Sequence, residues 1–201
     1  MTMLHVRGAR VRFGDSGTVT LPDLRVDSGE RLAIVGANGS GKSTLLRVLA
    51  GVLRADGNVD RGCELAAVAW IAQRPYLFRT SVADNVALAL VPLGLPAAER
   101  RRRALMALDD VGVADLADRS ARALSDGQVV RVAVARALVA GPRVLLLDET
   151  LAPLDADATR RVASAILAVP GLTVVAASPT AAGLAALRPT RTTELPSRAT
   201  H

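Results

Sequence analysis

The stretch Arg31–Gly51, RLAIVGANGSGKSTLLRVLAG, runs from an apolar segment through a glycine-rich loop into a helical pattern. The apolar segment predicts a buried strand, and the pattern after the loop predicts a helix that ends at a glycine. The loop fits G-x-x-x-x-G-K-[ST], in which backbone N–H groups and a helix N-terminus surround phosphate groups. Its positions are Gly36, Ala37, Asn38, Gly39, Ser40, Gly41, Lys42, Ser43 and Thr44. We expect Lys42, the only lysine in the chain, to reach the β- and γ-phosphates of a bound nucleotide.

A second motif, VLLLDE at 144–149, places two acids at the end of a continuous apolar run. Such a run is typical of a central parallel strand, which is buried on both faces. Beside a phosphate-binding loop, we expect Asp148 to hold Mg²⁺ through water and Ser43 to bind the same ion. Glu149 is then placed to polarise the attacking water as a general base. Together the two motifs predict a P-loop nucleotidase.

The remainder of the chain alternates short apolar runs with helical patterns. Residues 1–35 look like short strands and turns, and further strands are expected at 68–73 and 172–178. Helical patterns cover 81–140, with breaks, and 155–169. This alternation predicts the α/β class, with a parallel sheet and a mostly helical insertion between its two halves.

The composition favours a folded chain in a reducing compartment. Hydrophobic residues make up 50% of the chain, and the net charge of +6 comes from scattered arginines that favour a solvated surface. The single cysteine, Cys63, excludes an intramolecular disulfide framework. The most apolar stretch, Val86–Leu95, has about half the length of a bilayer helix and is interrupted by Pro92. We therefore expect any membrane-spanning part to belong to another chain.

The stretch LSDGQ at 124–128 resembles the signature motif of the ATP-binding cassette (ABC) ATPases, whose usual form is Leu-Ser-Gly-Gly-Gln. The phosphate loop, Gln73 after an apolar strand, LSDGQ, the strand acids and LAPLD at 151–155 occur in the order of that family. The resemblance extends from about Leu4 to about residue 180. A lone LSDGQ would fit an ordinary helix cap equally well, but the whole series favours the family.

This resemblance implies a P-loop NTPase fold with a mostly parallel central sheet and an N-terminal antiparallel β subdomain. A helical subdomain at about 80–140 is inserted between the phosphate loop and the strand that carries the acids. We expect one ATP-binding domain over residues 1–187 and a loose C-terminal tail over 188–201.

The resemblance also implies roles for three residues outside the two motifs. Phe13 matches the aromatic residue that stacks on adenine, although a strand phenylalanine is more often part of the core. Gln73 matches the glutamine that meets Mg²⁺, contributes to catalysis and moves with the membrane partner. Asp155 matches the acid that connects two protomers, and LDAD is equally a good helix cap.

In this family the signature motif acts on the ATP held by another subunit. The signature positions are Leu124, Ser125, Asp126, Gly127 and Gln128. Ser125, Gly127 and the helix N-terminus then cover the γ-phosphate, so that two chains close face to face around two ATP molecules. We expect an ATP-driven homodimer, or a heterodimer with another ABC ATPase subunit.

Several residues depart from the family pattern. Ser178, followed by Pro179, stands at the position of the switch histidine, and a serine cannot carry a proton or a positive charge. Asp126 brings a negative charge toward a polyphosphate where glycine is usual. Because Lys42 and Glu149 are intact, we expect hydrolysis that is measurable but slow.

The leading hypothesis is an ATPase subunit that drives transport through a separate permease at the cytoplasmic side of the cell membrane. RPYLFRT at 74–80 is the expected part of the permease-docking surface. One alternative is an ATP-binding regulatory or assembly subunit with little hydrolysis. The other is a non-transport ABC ATPase acting on DNA or ribosomes, although we do not expect nucleic acid as a partner. Four consecutive arginines at 100–103 favour a solvated helix face over a contact with anionic lipid.

Overall fold

The computed structural model describes residues 1–14 and 17–196, which form two compact units. The first unit contains Met1–Trp70, Arg143–Glu149 and the described residues from Pro170 onward. The second contains Ile71–Pro142 and Thr150–Val169. Both acids of the VLLLDE motif therefore belong to the same unit as the phosphate loop.

The first unit begins with an antiparallel sheet. Its strands are β1 (Thr2–Arg12), β2 (Thr18–Thr20), β3 (Leu24–Asp27) and, after β4 (Arg31–Val35) and α1 (Lys42–Leu49), β5 (Asp56–Arg61). The long strand β1 pairs antiparallel with β2, β3 and β5. Its apolar residues Leu4, Val6, Ala9 and Val11 are buried, while the arginines between them are exposed. This sheet confirms the expected antiparallel β subdomain; β5, rich in Asp, Gly and Asn, was not predicted.

A second sheet carries the functional loops. Its strands are β4, β6 (Val68–Ile71), β7 (Val144–Asp148), β8 (Thr173–Ser178) and β9 (Arg191–Glu194), in the order β6-β7-β8-β4-β9. Strands β7, β8, β4 and β9 pair in parallel, with Asp148 opposite Ala177 and Val35 opposite Ser178. All residues of β7 and β8 are buried, as their continuous apolar sequences require. The predicted α/β class is confirmed.

The second unit is helical. Its helices are α2 (Val82–Ala87), α3 (Ala97–Asp110), α4 (Asp126–Val139) and α5 (Ala156–Leu167), with 3-10 turns at Leu88–Leu93, Ala114–Leu116 and Ala121–Ala123. Side-chain oxygens of Ser81, Ser125 and Asp155 accept backbone N–H groups at the starts of α2, α4 and α5. Apolar residues at helical spacing form its interior, among them Val86, Leu90, Ala104, Leu108, Val130 and Val134.

The prediction of a loose tail from Arg188 is wrong for the residues that the structure describes. Strand β9 pairs with β4, and Arg191 forms an ion pair with Glu30 at 2.6 Å. The polar sequence of this strand suggested a tail because its side chains are mostly exposed at the sheet edge, whereas backbone pairing holds it in place. Residues 197–201 of the predicted tail lie outside the described residues.

The arginine run of α3 is engaged by partners of its own unit. Arg101 contacts Asp118 at 2.6 Å, and Arg102 and Arg103 both contact Glu99, at 2.8 and 2.7 Å. These hydrogen bonds lower the pKa of Glu99 to about 2. The pairing favours the solvated face expected from the sequence. In residues 1–14 and 17–196, none of the helices has the length and apolar character needed to cross a bilayer.

Candidate functional site

The phosphate-binding loop joins β4 to α1, as the sequence predicts. Gly39 and Gly41 have φ angles of 81° and 101°, which only glycine adopts without strain. Gly41 precedes the first turn of α1, which begins at Lys42. The first N–H groups of that helix have no carbonyl partner within it, so the loop presents donors and the positive end of a helix dipole at one point.

Lys42 is buried at this point, with 3% of its surface exposed. Its Nζ donates to the carbonyl oxygens of Gly36 at 2.7 Å and Ala37 at 3.1 Å. The same Nζ lies 3.3 Å from Oε1 of Glu149. An ammonium group has three N–H donors, so these three acceptors match its full capacity. A phosphate at the loop would therefore compete with existing contacts of Lys42.

Ser43 and Asp148 meet beside the loop. The Ser43 Oγ donates to Oδ1 of Asp148 at 2.8 Å, which joins the first turn of α1 to the end of β7. Asp148 is 1% exposed. Burial raises the pKa of Asp148, while the Ser43 hydrogen bond opposes that rise. A hydroxyl and a carboxylate are hard oxygen donors of the kind that small divalent cations bind, usually together with water and substrate phosphates.

Glu149 follows directly after β7 with an unusual backbone. Its φ is 50°, in the left-handed region, where a residue other than glycine costs about 1 kcal/mol. Its N–H donates to the carbonyl of Ala177 at 3.0 Å, which holds this conformation against β8. The carboxylate is directed to Lys42 as a result. Residues other than glycine in strained backbone conformations are frequent at functional sites.

The signature segment lies in the other unit and begins α4. Ser125 and Gln128 form a capping box, in which Gln128 Oε1 accepts the Ser125 N–H at 2.9 Å. Asp126 is exposed in the first turn of the helix. A Cβ at Gly127 would lie 3.2 Å from the carbonyl oxygen of Pro153, so a side chain there would be crowded. The structure thus shows Ser125 as the cap of α4 and a position at Gly127 that favours a small residue. Both lie in the second unit, which also contains Gln73.

The other predicted site residues have the following surroundings. Phe13 lies just after β1 and is 38% exposed, which makes it a surface residue and not part of the core. Gln73 is exposed after β6. Asp155 caps α5, since its Oδ1 accepts the Ala158 N–H at 2.8 Å. Ser178 ends β8, and its Oγ accepts the Thr180 N–H at 3.3 Å within its own turn.

The structure brings together Lys42, Ser43, Asp148 and Glu149 at the carboxyl ends of strands β4 and β7. The residues expected to act through another chain or unit are Gln73, Leu124, Ser125, Asp126, Gly127, Gln128 and Asp155, all in the second unit. Sequence reasoning missed Leu195, which lies beside the phosphate loop. The one local signal is Pro196, which favours an extended backbone at Leu195, because the polar residues before it are typical of a tail.

A buried parallel strand, a glycine-rich loop, a helix that begins at a lysine and two acids at the end of another strand of the same sheet define a P-loop NTPase. A sequence model described as "ABC transporter" matches residues 20–152. The chain belongs to this family.

Relatives and solved structures agree with this assignment. The chain is 46% identical over 157 residues to an aliphatic sulfonates import ATP-binding protein of Mycobacterium sp., a match that covers 77% of this chain and 62% of the relative. A phosphonates import ATP-binding protein of Pseudomonas savastanoi is 40% identical over 187 residues, with 79% and 68% covered. The chain thus spans less than two thirds of the length of several such relatives.

Among solved structures, a dimeric bacterial ABC transporter cassette has the same fold, with a TM-score of 0.86 and 24% identity over 96% of this chain and 94% of that one. Part of an ABC transporter complex from Clostridium perfringens matches with a TM-score of 0.76 and 30% identity, over 89% and 79% of the two chains. The ABC cassette fold expected from the sequence is confirmed.

Proposed function

We propose that this chain binds ATP with Mg²⁺ and hydrolyses it as the ATP-binding subunit of a transporter whose membrane-spanning permease is a separate chain. The observation that carries the proposal is the cluster of Lys42, Ser43, Asp148 and Glu149 around the phosphate loop. Family membership and the import ATP-binding relatives support it.

The nucleotide would lie with its phosphates over the N-terminus of α1. Oxygens of its β- and γ-phosphates would replace the Ala37 carbonyl, the longer loop contact at 3.1 Å, as acceptors for Lys42, while the 2.7 Å contact with the Gly36 carbonyl would remain. An anion is a better partner for an ammonium than a neutral carbonyl, so the exchange favours binding. Phe13 presents an exposed ring in the same unit, which suits stacking on adenine.

Ser43 and Asp148 would hold Mg²⁺ at their present meeting point, and Gln73 would be a further ligand. When bound, the ion would supply positive charge that stabilises the phosphate groups during hydrolysis. Glu149 would orient the attacking water and accept its proton. The Oε1 of Glu149 lies 3.3 Å from the Lys42 Nζ, which places this carboxylate beside the phosphate loop where the attacking water would lie.

The signature helix would complete the site of another subunit. Ser125, Gly127 and the N-terminus of α4 would contact the γ-phosphate there, and Asp155 would lie at the contact between the chains. The similar fold of a dimeric ABC cassette supports two chains per assembly, as a homodimer or heterodimer. Asp126, exposed in the first turn, would oppose closure on a polyphosphate by charge repulsion.

Residues 74–80 would form part of the permease contact. Tyr76 and Phe78 are 66% and 49% exposed, and their rings pack edge to face at 5.6 Å. Arg136 lies 5.9 Å from the centre of the Phe78 ring and donates to the Tyr76 carbonyl at 2.8 Å. Rigid exposed aromatic side chains are typical of protein interfaces. The protein would then act at the cytoplasmic face of the membrane, in the import direction of its named relatives.

A second function, ATP binding with little hydrolysis in a regulatory or assembly subunit, is favoured by one observation. The Ser178 hydroxyl is engaged in its own turn, so the position expected for the switch histidine offers no group that can carry a positive charge. Turnover distinguishes the two functions.

The test compares the wild-type chain with Glu149→Gln for ADP affinity and for steady-state phosphate release from MgATP. We expect both proteins to bind ADP, and only the wild type to release phosphate, because glutamine keeps the shape but cannot accept a proton. Equal turnover in both would remove Glu149 as the base. ADP binding without any wild-type turnover, measured also with the co-purified permease, would favour the regulatory function.

A further inference from the structure

The C-terminal strand continues past its last assigned residue along the strand that leads into the phosphate loop. Strand β9 pairs with β4 up to Glu194 opposite Val35. The next residue extends the ladder, since the Leu195 N–H donates to the Val35 carbonyl at 2.7 Å. The backbone of Leu195 therefore lies beside the point where β4 ends and the loop begins at Gly36.

Gly36 is packed against this backbone. A Cβ at Gly36 would lie 2.7 Å from the Leu195 carbonyl oxygen and 3.4 Å from the Leu195 Cβ. On its other side it would lie 2.9 Å from the Ser40 Oγ. These distances leave no room for a methyl group. The close contact with Leu195 therefore limits the positions that Gly36 can adopt.

Gly36 in turn holds the lysine of the site. Its carbonyl accepts the shortest hydrogen bond of Lys42, at 2.7 Å. A shift of Gly36 would move this acceptor and with it the ammonium that meets the phosphates. Lys42 is 3% exposed, so little space is available for it to compensate.

The side chain of Leu195 is packed in the hydrophobic core, which holds the Leu195 backbone in place. It is 4% exposed and belongs to the same buried cluster as Leu45 and Leu46 of α1 and Ile34 of β4. Pro196, exposed, restricts Leu195 to the extended backbone that the pairing requires. Side chain and backbone thus act together to place Leu195.

We propose that Leu195 is a positioning residue of the phosphate-binding loop: its backbone sets the place of Gly36, and through the Gly36 carbonyl the place of Lys42. The inference rests on the proposed nucleotide binding. It assigns a role in that binding to a segment outside the region matched by the family model, which ends at residue 152.

The test measures the Kd for ADP by calorimetry and the unfolding temperature of Leu195→Ala. Its matched control is Leu24→Ala, a residue of the same buried cluster that is 5% exposed and lies on β3. Both variants should lose stability. Only Leu195→Ala should raise the Kd, by about tenfold, because a positioned group has shifted. Leu195→Met, which refills the volume, should restore most of the affinity.

A second variant, Pro196→Gly, keeps the buried side chain and releases the backbone restraint, and should raise the Kd by about threefold. This variant keeps the question answerable if Leu195→Ala does not fold. Equal Kd values in the wild type, Leu195→Ala and Pro196→Gly would overturn the positioning role while leaving nucleotide binding intact. A wild type that does not bind ADP would overturn both the binding and the role.

Discussion

Glu149 combines an unusual backbone conformation with a role in the proposed chemistry of this site. Its left-handed conformation is held by β8 and directs the carboxylate to Lys42. The ion pair gives Lys42 a third acceptor besides the two loop carbonyls. A nucleotide would therefore meet a lysine already oriented among fixed partners, and fixed partners reduce the reorganisation that binding requires.

At Ser178 we predict that removing the hydroxyl changes stability and not turnover. Its Oγ accepts the Thr180 N–H, so Ser178→Ala should lower the free energy of unfolding by about 1 kcal/mol. The phosphate release rate, measured at saturating MgATP, should stay within about twofold of the wild type, because the hydroxyl is engaged in its own turn. A twofold change in rate corresponds to less than about 1 kcal/mol. Loss of turnover in this variant would show that Ser178 contacts the nucleotide.

At the scale of elements, α1 is held at its C-terminal end by a residue of β5. The Arg61 Nε donates to the Leu49 carbonyl at 2.8 Å, and Nη2 donates to the Val48 carbonyl at 2.6 Å. Helix C-termini have carbonyls without helical partners and carry partial negative charge, so a guanidinium there is stabilising. Helix α1 is therefore held at both ends: the Ser43–Asp148 hydrogen bond holds its N-terminal turn, and Arg61 holds its C-terminus.

Replacing Arg61 should loosen α1. We expect Arg61→Ala to lower the free energy of unfolding by about 1–2 kcal/mol, through lost charge-assisted hydrogen bonds and lost packing. Thermal and urea unfolding measure the change. Arg7→Ala, an exposed arginine of β1, is the control and should change stability by less than about 0.5 kcal/mol. Equal effects of the two substitutions would contradict the capping role.

In the second unit, a buried asparagine holds the proposed docking segment. Asn85 is 0% exposed; its Oδ1 accepts the Phe78 N–H at 2.7 Å, and its Nδ2 donates to the carbonyls of Phe78 and Ser81, both at 3.0 Å. One amide thus satisfies both backbone groups of Phe78. The exposed aromatic pair of this segment is presented on a backbone that the interior fixes.

Substitution of this asparagine should release the segment. Asn85→Leu leaves the Phe78 N–H without its partner and removes the side-chain donor from the Phe78 carbonyl, which still accepts the Thr80 N–H, so the change should cost about 2–3 kcal/mol. Hydrogen exchange of residues 76–81 should accelerate more than that of α4. The control is Asn58→Leu at an exposed position of β5. Unchanged exchange at 76–81 in the folded variant would show that Asn85 does not hold the segment.

At the scale of the whole molecule, the proposed function requires two chains. With MgATP, Glu149→Gln should form a dimer that light scattering detects, because bound ATP persists when hydrolysis stops. The double variant Glu149→Gln/Asp126→Gly should dimerise at lower ATP concentration, since it lacks one negative charge near each polyphosphate. An exposed charge of this kind is worth about 0.3–1 kcal/mol, so the shift should be about two- to fivefold.

Two results would contradict the proposed ATP-driven dimer and the proposed effect of Asp126. A Glu149→Gln chain that stays monomeric at saturating MgATP, alone, would contradict the homodimer and leave a heterodimer or permease-dependent assembly. Equal ATP dependence with and without Asp126 would show that this carboxylate is directed away from the nucleotide.

The amino-acid sequence by itself determined the α/β class and the family, and it indicated the loop, lysine and acids of the proposed site. These features depend on local rules: buried parallel strands need apolar runs, tight phosphate loops need glycines, and helices begin at capping residues. Each rule leaves a pattern within a few consecutive residues, so the order of motifs could be recognised without coordinates.

Only the tertiary structure decided the contacts between distant parts of the chain. It paired the polar strand β9 with β4, placed Leu195 against Gly36 and set Glu149 beside Lys42. Edge-strand pairing uses backbone groups that every residue possesses, so its sequence shows little signal. Close approach of Leu195 and Gly36 depends on packing between residues far apart in the chain, which no local pattern encodes.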